Sequence, residues 1–204
     1  MKYNKIGLMG GTFDPIHYGH LILAEHAFEK FRLDKIIFVT AAEPPHKSGM
    51  VEASSVDRFN MTAEAIANND HFEYSDIEMN RKGPSYTIDT LKEIPRVYGG
   101  DVIVYLLLGA DEAANFMKWR EPQGIMNRST VVVANRPGFP IRDTLLKLPS
   151  DVADRVKILE MPGVDISSTD IRKRVKEGKS IKYLTPDGVI KYILDNNVYG
   201  SCVI

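Results

Sequence analysis

The chain has 204 residues, so one domain of ordinary size is expected over 1–204. With 44% hydrophobic and 26% charged residues, its composition is globular and excludes disordered, collagen-like and coiled-coil chains. A formal net charge of −1 excludes a general nucleic-acid binder, whose affinity comes from excess Lys and Arg, so any phosphate recognition must be local.

In chain order, a strand over Lys5–Met9 runs into a glycine-rich turn and a helix over Gly19–Arg32. A strand over Lys35–Thr40 precedes the loop Ala41–Ser54 and a helix over Ser54–Asn68; a strand over Phe72–Ile77 precedes a helix over Thr87–Tyr98. The next strand, Val102–Leu108, is apolar throughout, as in a parallel sheet covered on both faces. A helix over Asp111–Lys118, a strand over Thr130–Asn135, a loop at Arg136–Pro140 and a helix over Ile141–Leu148 follow. The last strand is Val156–Glu160, and helices over Ser168–Glu177 and Pro186–Asn196 close the pattern. The N-terminus turns glycine-rich too early for a signal-peptide core, and no apolar run is long enough to span a bilayer. Cys202, the single cysteine, permits no internal disulfide and fits a reducing, cytoplasmic setting; third from the end, it misses a prenylation signal.

This alternation predicts an α/β fold with a doubly wound parallel sheet and right-handed crossovers. Ligands in such sheets lie beyond the carboxyl ends of the strands, where the strand order reverses. Chemistry-bearing residues should therefore follow strand ends.

The first strand end carries Gly10-Gly11-Thr12-Phe13-Asp14-Pro15-Ile16-His17-Tyr18-Gly19-His20. Paired glycines let the backbone approach a bulky anion, and the helix start beyond them offers unpaired N–H groups and a positive dipole end. His17 and His20 stand three apart on one face of that helix, suited to donate hydrogen bonds to a phosphate and to charge developing on it. Taken alone, the pair could equally be capping or surface residues. A metal role lacks the Glu of the zinc-protease pattern and a third ligand, so no metal site is expected. The glycine spacing is also not the dinucleotide fingerprint.

Pro44-Pro45-His46-Lys47 follows the second strand, the prolines stiffening a loop from which Lys47 can place a point charge on a phosphate. Ser85-Tyr86-Thr87-Ile88-Asp89 opens a helix, with Ser85 or Thr87 as its expected cap. Gly109-Ala110-Asp111 ends the apolar strand; Asp111 could serve as a carboxylate at the rim or merely as an N-cap. Trp119 is core filler or a stacking platform. In Asp165-Ile166-Ser167-Ser168-Thr169-Asp170-Ile171-Arg172, a capping arrangement precedes Arg172, one turn in, which can clamp polyphosphate. Arg174 and Lys176 read as a solvated face.

The eleven residues from Gly10 to His20 closely resemble the signature of the nucleotidylyltransferase superfamily. Pro44-Pro45-His46-Lys47, Ser85-Tyr86-Thr87-Ile88-Asp89-Thr90-Leu91, Gly109-Ala110-Asp111, Trp119 and Ile166-Ser167-Ser168-Thr169-Asp170-Ile171-Arg172 narrow the resemblance to the bacterial nicotinate mononucleotide adenylyltransferase family, over residues 5–199. Thr40, where a proline is expected, and Thr185, where an apolar residue is usual, depart from its pattern.

The resemblance implies that ATP and nicotinate mononucleotide give nicotinate adenine dinucleotide and pyrophosphate, with Mg²⁺ arriving on ATP. It implies that His17 and His20 contact phosphates around the reacting phosphorus, with Thr12 and the Gly10-Gly11 backbone lining the same pocket. Lys47 would hold the nucleophilic phosphate; Ser167, Ser168 and Arg172 the departing one; Asp111 the adenylate ribose, with Gly109 also binding ATP; and Thr87 and Trp119 the nicotinate ring, with Ser85 and Tyr86 also binding the mononucleotide. Phosphopantetheine or nicotinamide mononucleotide as acceptor, and a non-catalytic ATP-binding regulatory module, are the competing readings. A homo-oligomer is compatible with the sequence.

Overall fold

The computed structural model describes residues 3–46, 49–135 and 141–200. Lys47, the Arg136–Pro140 stretch and Cys202 lie outside them. All six expected strands form: β1 (Lys5–Gly11), β2 (Lys35–Thr40), β3 (Phe72–Ser75), β4 (Ile103–Gly109), β5 (Thr130–Ala134) and β6 (Lys157–Leu159). They make one parallel sheet in the order β3-β2-β1-β4-β5-β6, the doubly wound arrangement in which the order reverses between β1 and β4.

The helices among the described residues are α1 (Tyr18–Phe31), α2 (Ser55–Ile66), α3 (Thr87–Tyr98), α4 (Ala110–Ala113), α5 (Pro122–Met126), α6 (Ile141–Leu145), α7 (Ser150–Ala153), α8 (Ser168–Lys176) and α9 (Asp187–Asp195). None is long and apolar enough to cross a membrane. The helix expected over Asp111–Lys118 is instead α4 and a separate 3₁₀ turn at Phe116–Lys118. Asn115 interrupts it: its side-chain amide donates to the Asp111 carbonyl, and its backbone N–H turns to the Glu112 carbonyl. The short helices α5 and α7 have no counterpart in the sequence pattern, because four or five residues give no helical period to read.

The chain sorts into two compact units. The first comprises Met1–Met9, Leu23–Ile37 and Tyr86–Asp165. In it β1 and β4 run in register Gly7↔Tyr105 and Leu8↔Leu106, and β4 pairs β5 at Leu107↔Val132. Leu106, Leu107 and Leu108 are buried, as are Val131, Val132 and Val133, so these apolar stretches mark strands covered on both faces, whereas Ile103 at the start of β4 is exposed. Gly7 has a packing reason: a Cβ there would lie 2.5 Å from Ile36 Cδ1 and 3.0 Å from Leu33 Cδ1. On α3 the buried Ile88, Leu91, Ile94 and Tyr98 form one stripe.

The second unit comprises Gly10–Ile22, Phe38–Ser85 and Ile166–Ile204. Ser54 caps α2 by accepting from the Asp57 N–H at 3.1 Å. Helix α9 packs on α2, burying Val189 and Ile193, while the Tyr192 hydroxyl donates to Asp57 Oδ1 at 3.0 Å. The two departures from the family pattern are both satisfied: Thr40 Oγ1 bonds Thr62 Oγ1 at 3.2 Å, and Thr185 Oγ1 donates to the Ile16 carbonyl at 2.7 Å.

Candidate active site

In the second unit, the residues that leave β1 form a tight turn. Phe13 takes a left-handed conformation at φ 49° and folds its ring back, so that a Cβ on Gly11 would lie 2.6 Å from the ring. Gly10 is different: a Cβ there would meet nothing within 4 Å. One glycine makes room for the protein's own aromatic ring, the other leaves open space beside the backbone. Phe13 also meets the His20 ring edge-on at 5.1 Å between centroids.

His17 and His20 are brought together as their spacing predicts. Their rings stack at 3.8 Å, and the His17 N–H donates to His20 Nδ1 at 3.2 Å. With Nδ1 accepting, the proton of the neutral His20 ring belongs on Nε2, which is thereby defined as the donor. His17 is buried and His20 half-buried.

Asp14, buried in the middle of the signature, gathers four partners. Oδ2 accepts from the Glu52 N–H at 2.9 Å, and Oδ1 accepts from the Ala53 N–H at 3.1 Å and from the Tyr199 hydroxyl at 2.9 Å. Arg172 Nη1 lies 3.7 Å from Oδ2 and donates to the Asp14 carbonyl at 2.8 Å. Burial, with the Asp14 charge beside it, pushes the Tyr199 hydroxyl well above the ordinary tyrosine range.

Arg58 is a residue that sequence reasoning misses. It is fully buried and donates to the carbonyls of Thr12 and Ala41 at 2.7 Å each, Ala42 at 3.1 Å and Ala53 at 3.3 Å. Burial lowers its pKa, an effect opposed by the Asp14 charge. A signal for it exists: Arg58 lies three and four residues before Met61 and Thr62, on the buried stripe of α2.

Ser167 caps α8 by accepting from the Asp170 N–H at 3.2 Å, as expected, and Ser168 Oγ donates to the Pro15 carbonyl at 2.8 Å. Arg172 pairs with Glu52, Nε to Oε1 at 3.0 Å. Lys176 is exposed, as expected of a solvated face, but it also has a partner: its Nζ lies 2.5 Å from Glu52 Oε2. Arg174 Nε donates to the Ser180 carbonyl at 2.8 Å. Ser85 does not cap α3; it is buried against the Ala41–Ser54 loop, its Oγ accepting from the Glu43 N–H at 3.2 Å while its own N–H donates to the Glu43 carbonyl at 2.9 Å.

In the first unit, Tyr86 is the N-cap of α3, with no side-chain cap bond, so Thr87 is not the cap either. The Arg120 guanidinium lies 4.7 Å from the Tyr86 ring centroid and 3.8 Å from Asp89. Trp119 is half-buried, its ring 5.7 Å from that of Phe116. Asp111 lies in the first turn of α4, whose N-cap is Gly109, and a Cβ on Gly109 would lie 2.7 Å from Asp111 Oδ1. That glycine keeps the space the carboxylate uses. Among the described residues, no group of three or more His, Cys, Asp or Glu is arranged to hold a metal ion.

Residues 8–174 match the family model described as "Cytidylyltransferase-like". A "Probable nicotinate-nucleotide adenylyltransferase" of Desulfitobacterium hafniense (strain DSM 10664 / DCB-2) is 45% identical over 198 residues, covering 96% of this chain and 95% of that protein. The chain belongs to the nicotinate-nucleotide adenylyltransferase family. A relative of the same name in Moorella thermoacetica is 42% identical, covering 96% of this chain and 91% of its own. The fold of the family is seen again in the nicotinic acid mononucleotide adenylyltransferase of Plasmodium falciparum complexed with NaAD, at TM-score 0.81 and 23% identity, covering 98% of both chains.

Proposed function

We propose that the chain transfers the adenylyl group of ATP to nicotinate mononucleotide, giving nicotinate adenine dinucleotide and pyrophosphate in NAD biosynthesis. A 5′-phosphate oxygen of the mononucleotide attacks the α-phosphorus of ATP in line. The bond from that phosphorus to the bridging oxygen breaks, and pyrophosphate leaves with the electron pair. The attacking oxygen is already ionised at pH 7, so the protein positions groups and stabilises charge rather than removing a proton.

The observation that carries this reading is the stacked histidine pair with its assigned donor, in a chain 45% identical to a relative of that name. His17 and His20 donate to the phosphates about the reacting centre, beside Thr12, the Gly11 backbone and the open backbone of Gly10. Ser167, Ser168 and Arg172 hold the departing pyrophosphate, and Lys47 the attacking phosphate. Asp111 meets the adenylate ribose and Gly109 also serves ATP, while Thr87 and Trp119 frame the nicotinate ring and Ser85 and Tyr86 serve the mononucleotide. The Asp14 carboxylate is already engaged by two N–H groups, a hydroxyl and Arg172, which fits Mg²⁺ entering as part of the substrate MgATP rather than at a site built by the protein. Residues 1–204 act as a single nucleotidylyltransferase domain in the cytoplasm, since the family match runs through segments of both units.

The test is pyrophosphate release from MgATP with nicotinate mononucleotide, its amide analogue or phosphopantetheine. Release with the acid form alone is expected. Equal rates with acid and amide would remove the acid specificity, and release with phosphopantetheine alone would change the acceptor. Silence with all three from folded, ATP-binding protein would make it a regulatory module.

A further inference from the structure

The carboxylate of Glu52 spans two cations one helical turn apart on α8: Oε1 lies 3.0 Å from Arg172 Nε and Oε2 2.5 Å from Lys176 Nζ. Two oxygens on one centre, shared between an arginine and a lysine, is an arrangement a phosphate group can also make. The two sides of the pair are held differently. Arg172 is anchored apart from Glu52, through Nη1 to the Asp14 carbonyl at 2.8 Å, and its side chain is 14% exposed. The Glu52 side chain is 35% exposed, while its backbone N–H stays fastened to Asp14 Oδ2 at 2.9 Å. The carboxylate can therefore swing into solvent while Arg172 and the loop backbone keep their places.

We propose that Glu52 is an internal stand-in for polyphosphate: its carboxylate fills the Arg172–Lys176 pair until the phosphates of ATP displace it, and Lys176 is a second cation of that clamp. This rests on the reading above, in which Arg172 holds the departing pyrophosphate. The Lys176 contact, joined by Arg172, also keeps the Glu52 carboxyl ionised below the usual carboxylate range, so it competes as an anion throughout the neutral pH region. A clamp neutralised in this way discriminates by charge. Monoanions compete poorly with a carboxylate already in place, whereas a diphosphate brings enough charge to replace it. The same competition assists release of pyrophosphate, because Glu52 returns to the cations as the product leaves.

The test is calorimetric binding of magnesium pyrophosphate to the full chain, without mononucleotide. Exposed ion pairs of this kind are worth about 1.5- to fivefold each in an equilibrium constant, so Glu52→Gln is expected to tighten binding about two- to tenfold. The gain should shrink with added salt and vanish when Arg172→Gln and Lys176→Gln are also present. Lys176→Gln alone is expected to weaken binding by a similar factor. Unchanged or weaker binding by Glu52→Gln, unchanged binding by Lys176→Gln, or no pyrophosphate binding by the unaltered chain would each overturn the proposal. Because binding is read apart from turnover, the two readings fail separately. The expected pattern without adenylyl transfer would keep the stand-in and remove the reaction, and transfer with unaltered affinities would do the reverse.

Discussion

The hydroxyl of Tyr199 donates to Oδ1 of Asp14 across 2.9 Å, joining residues 185 positions apart. The carboxylate that receives it also takes two N–H groups from the Ala41–Ser54 loop and pairs with Arg172. One phenol near the C-terminal end of the chain thus supports the acceptor on which the signature, the loop and α8 all depend.

Tyr199→Phe removes a hydrogen bond to a buried charge, an interaction worth about 1.5–3 kcal/mol, so Tm is expected to fall by roughly 3–12 °C. Its pH dependence has a definite sign. The folded state holds the hydroxyl protonated well above the unfolded value of about 10, so its stabilisation is complete below about pH 10 and drains away as pH rises beyond it. Chemical unfolding followed between pH 8 and 11 should show a steep alkaline loss in the unaltered chain and a shallower one in Tyr199→Phe. Parallel curves would rule out this tyrosine as the source.

Arg58→Met should cost about 3–5 kcal/mol, since it strips the donors from four carbonyls and leaves Asp14 with less compensating charge. Arg58→Lys keeps the charge but cannot fork to the Thr12, Ala41 and Ala42 carbonyls together, and should fall between. Denaturant midpoints order the three proteins, and a Met variant as stable as the parent would refute the role.

His20→Ala is expected to lower kcat about 10²–10³-fold through loss of one donor to developing charge. His20→Asn separates structure from chemistry. Its side-chain oxygen can still accept from the His17 N–H, restoring Tm toward the parent, but it lacks a group in the place of Nε2. Its kcat should stay as low as that of the alanine variant. Near-parental turnover in the asparagine variant would make the accepting nitrogen the important one.

The adjacent glycines should respond in opposite ways. Gly11→Ala drives a methyl into the Phe13 ring and is expected to cost about 1–3 kcal/mol of stability. Gly10→Ala meets no protein atom within 4 Å, so stability should stay within about 0.5 kcal/mol. If phosphate approaches that backbone, the KM for ATP should nevertheless rise about tenfold, equivalent to ~1.4 kcal/mol of lost contact. A Gly10→Ala variant with unchanged KM would move the phosphate elsewhere.

The strands are legible in the sequence because burial on both faces writes itself into composition: Leu106, Leu107 and Leu108 admit few other readings. The stacking of His17 on His20 is legible because three residues along a helix is a local distance. The network behind them is not. Glu52 and Asp14 are 38 positions apart, and Tyr199 and Asp14 185, separations at which no periodicity carries information. The ion pair of the exposed Lys176 goes unread for the same reason, because its partner lies on another element. Ser85 reads as a cap from its place before a helix, yet the backbone of Glu43 claims its hydroxyl first.

Gly7 has no chemistry, yet it indexes the strand that leads to the chemistry. Side chains of Ile36 and Leu33 occupy the space where its own would be. Sliding β1 by two residues, the smallest shift that keeps its inward face inward, would bring Lys5 or Met9 to that place, and neither fits. The missing side chain works as a keyway: Ile36 and Leu33 close over β1 at the one position that carries no side chain, where Gly7 stands opposite Tyr105 of β4.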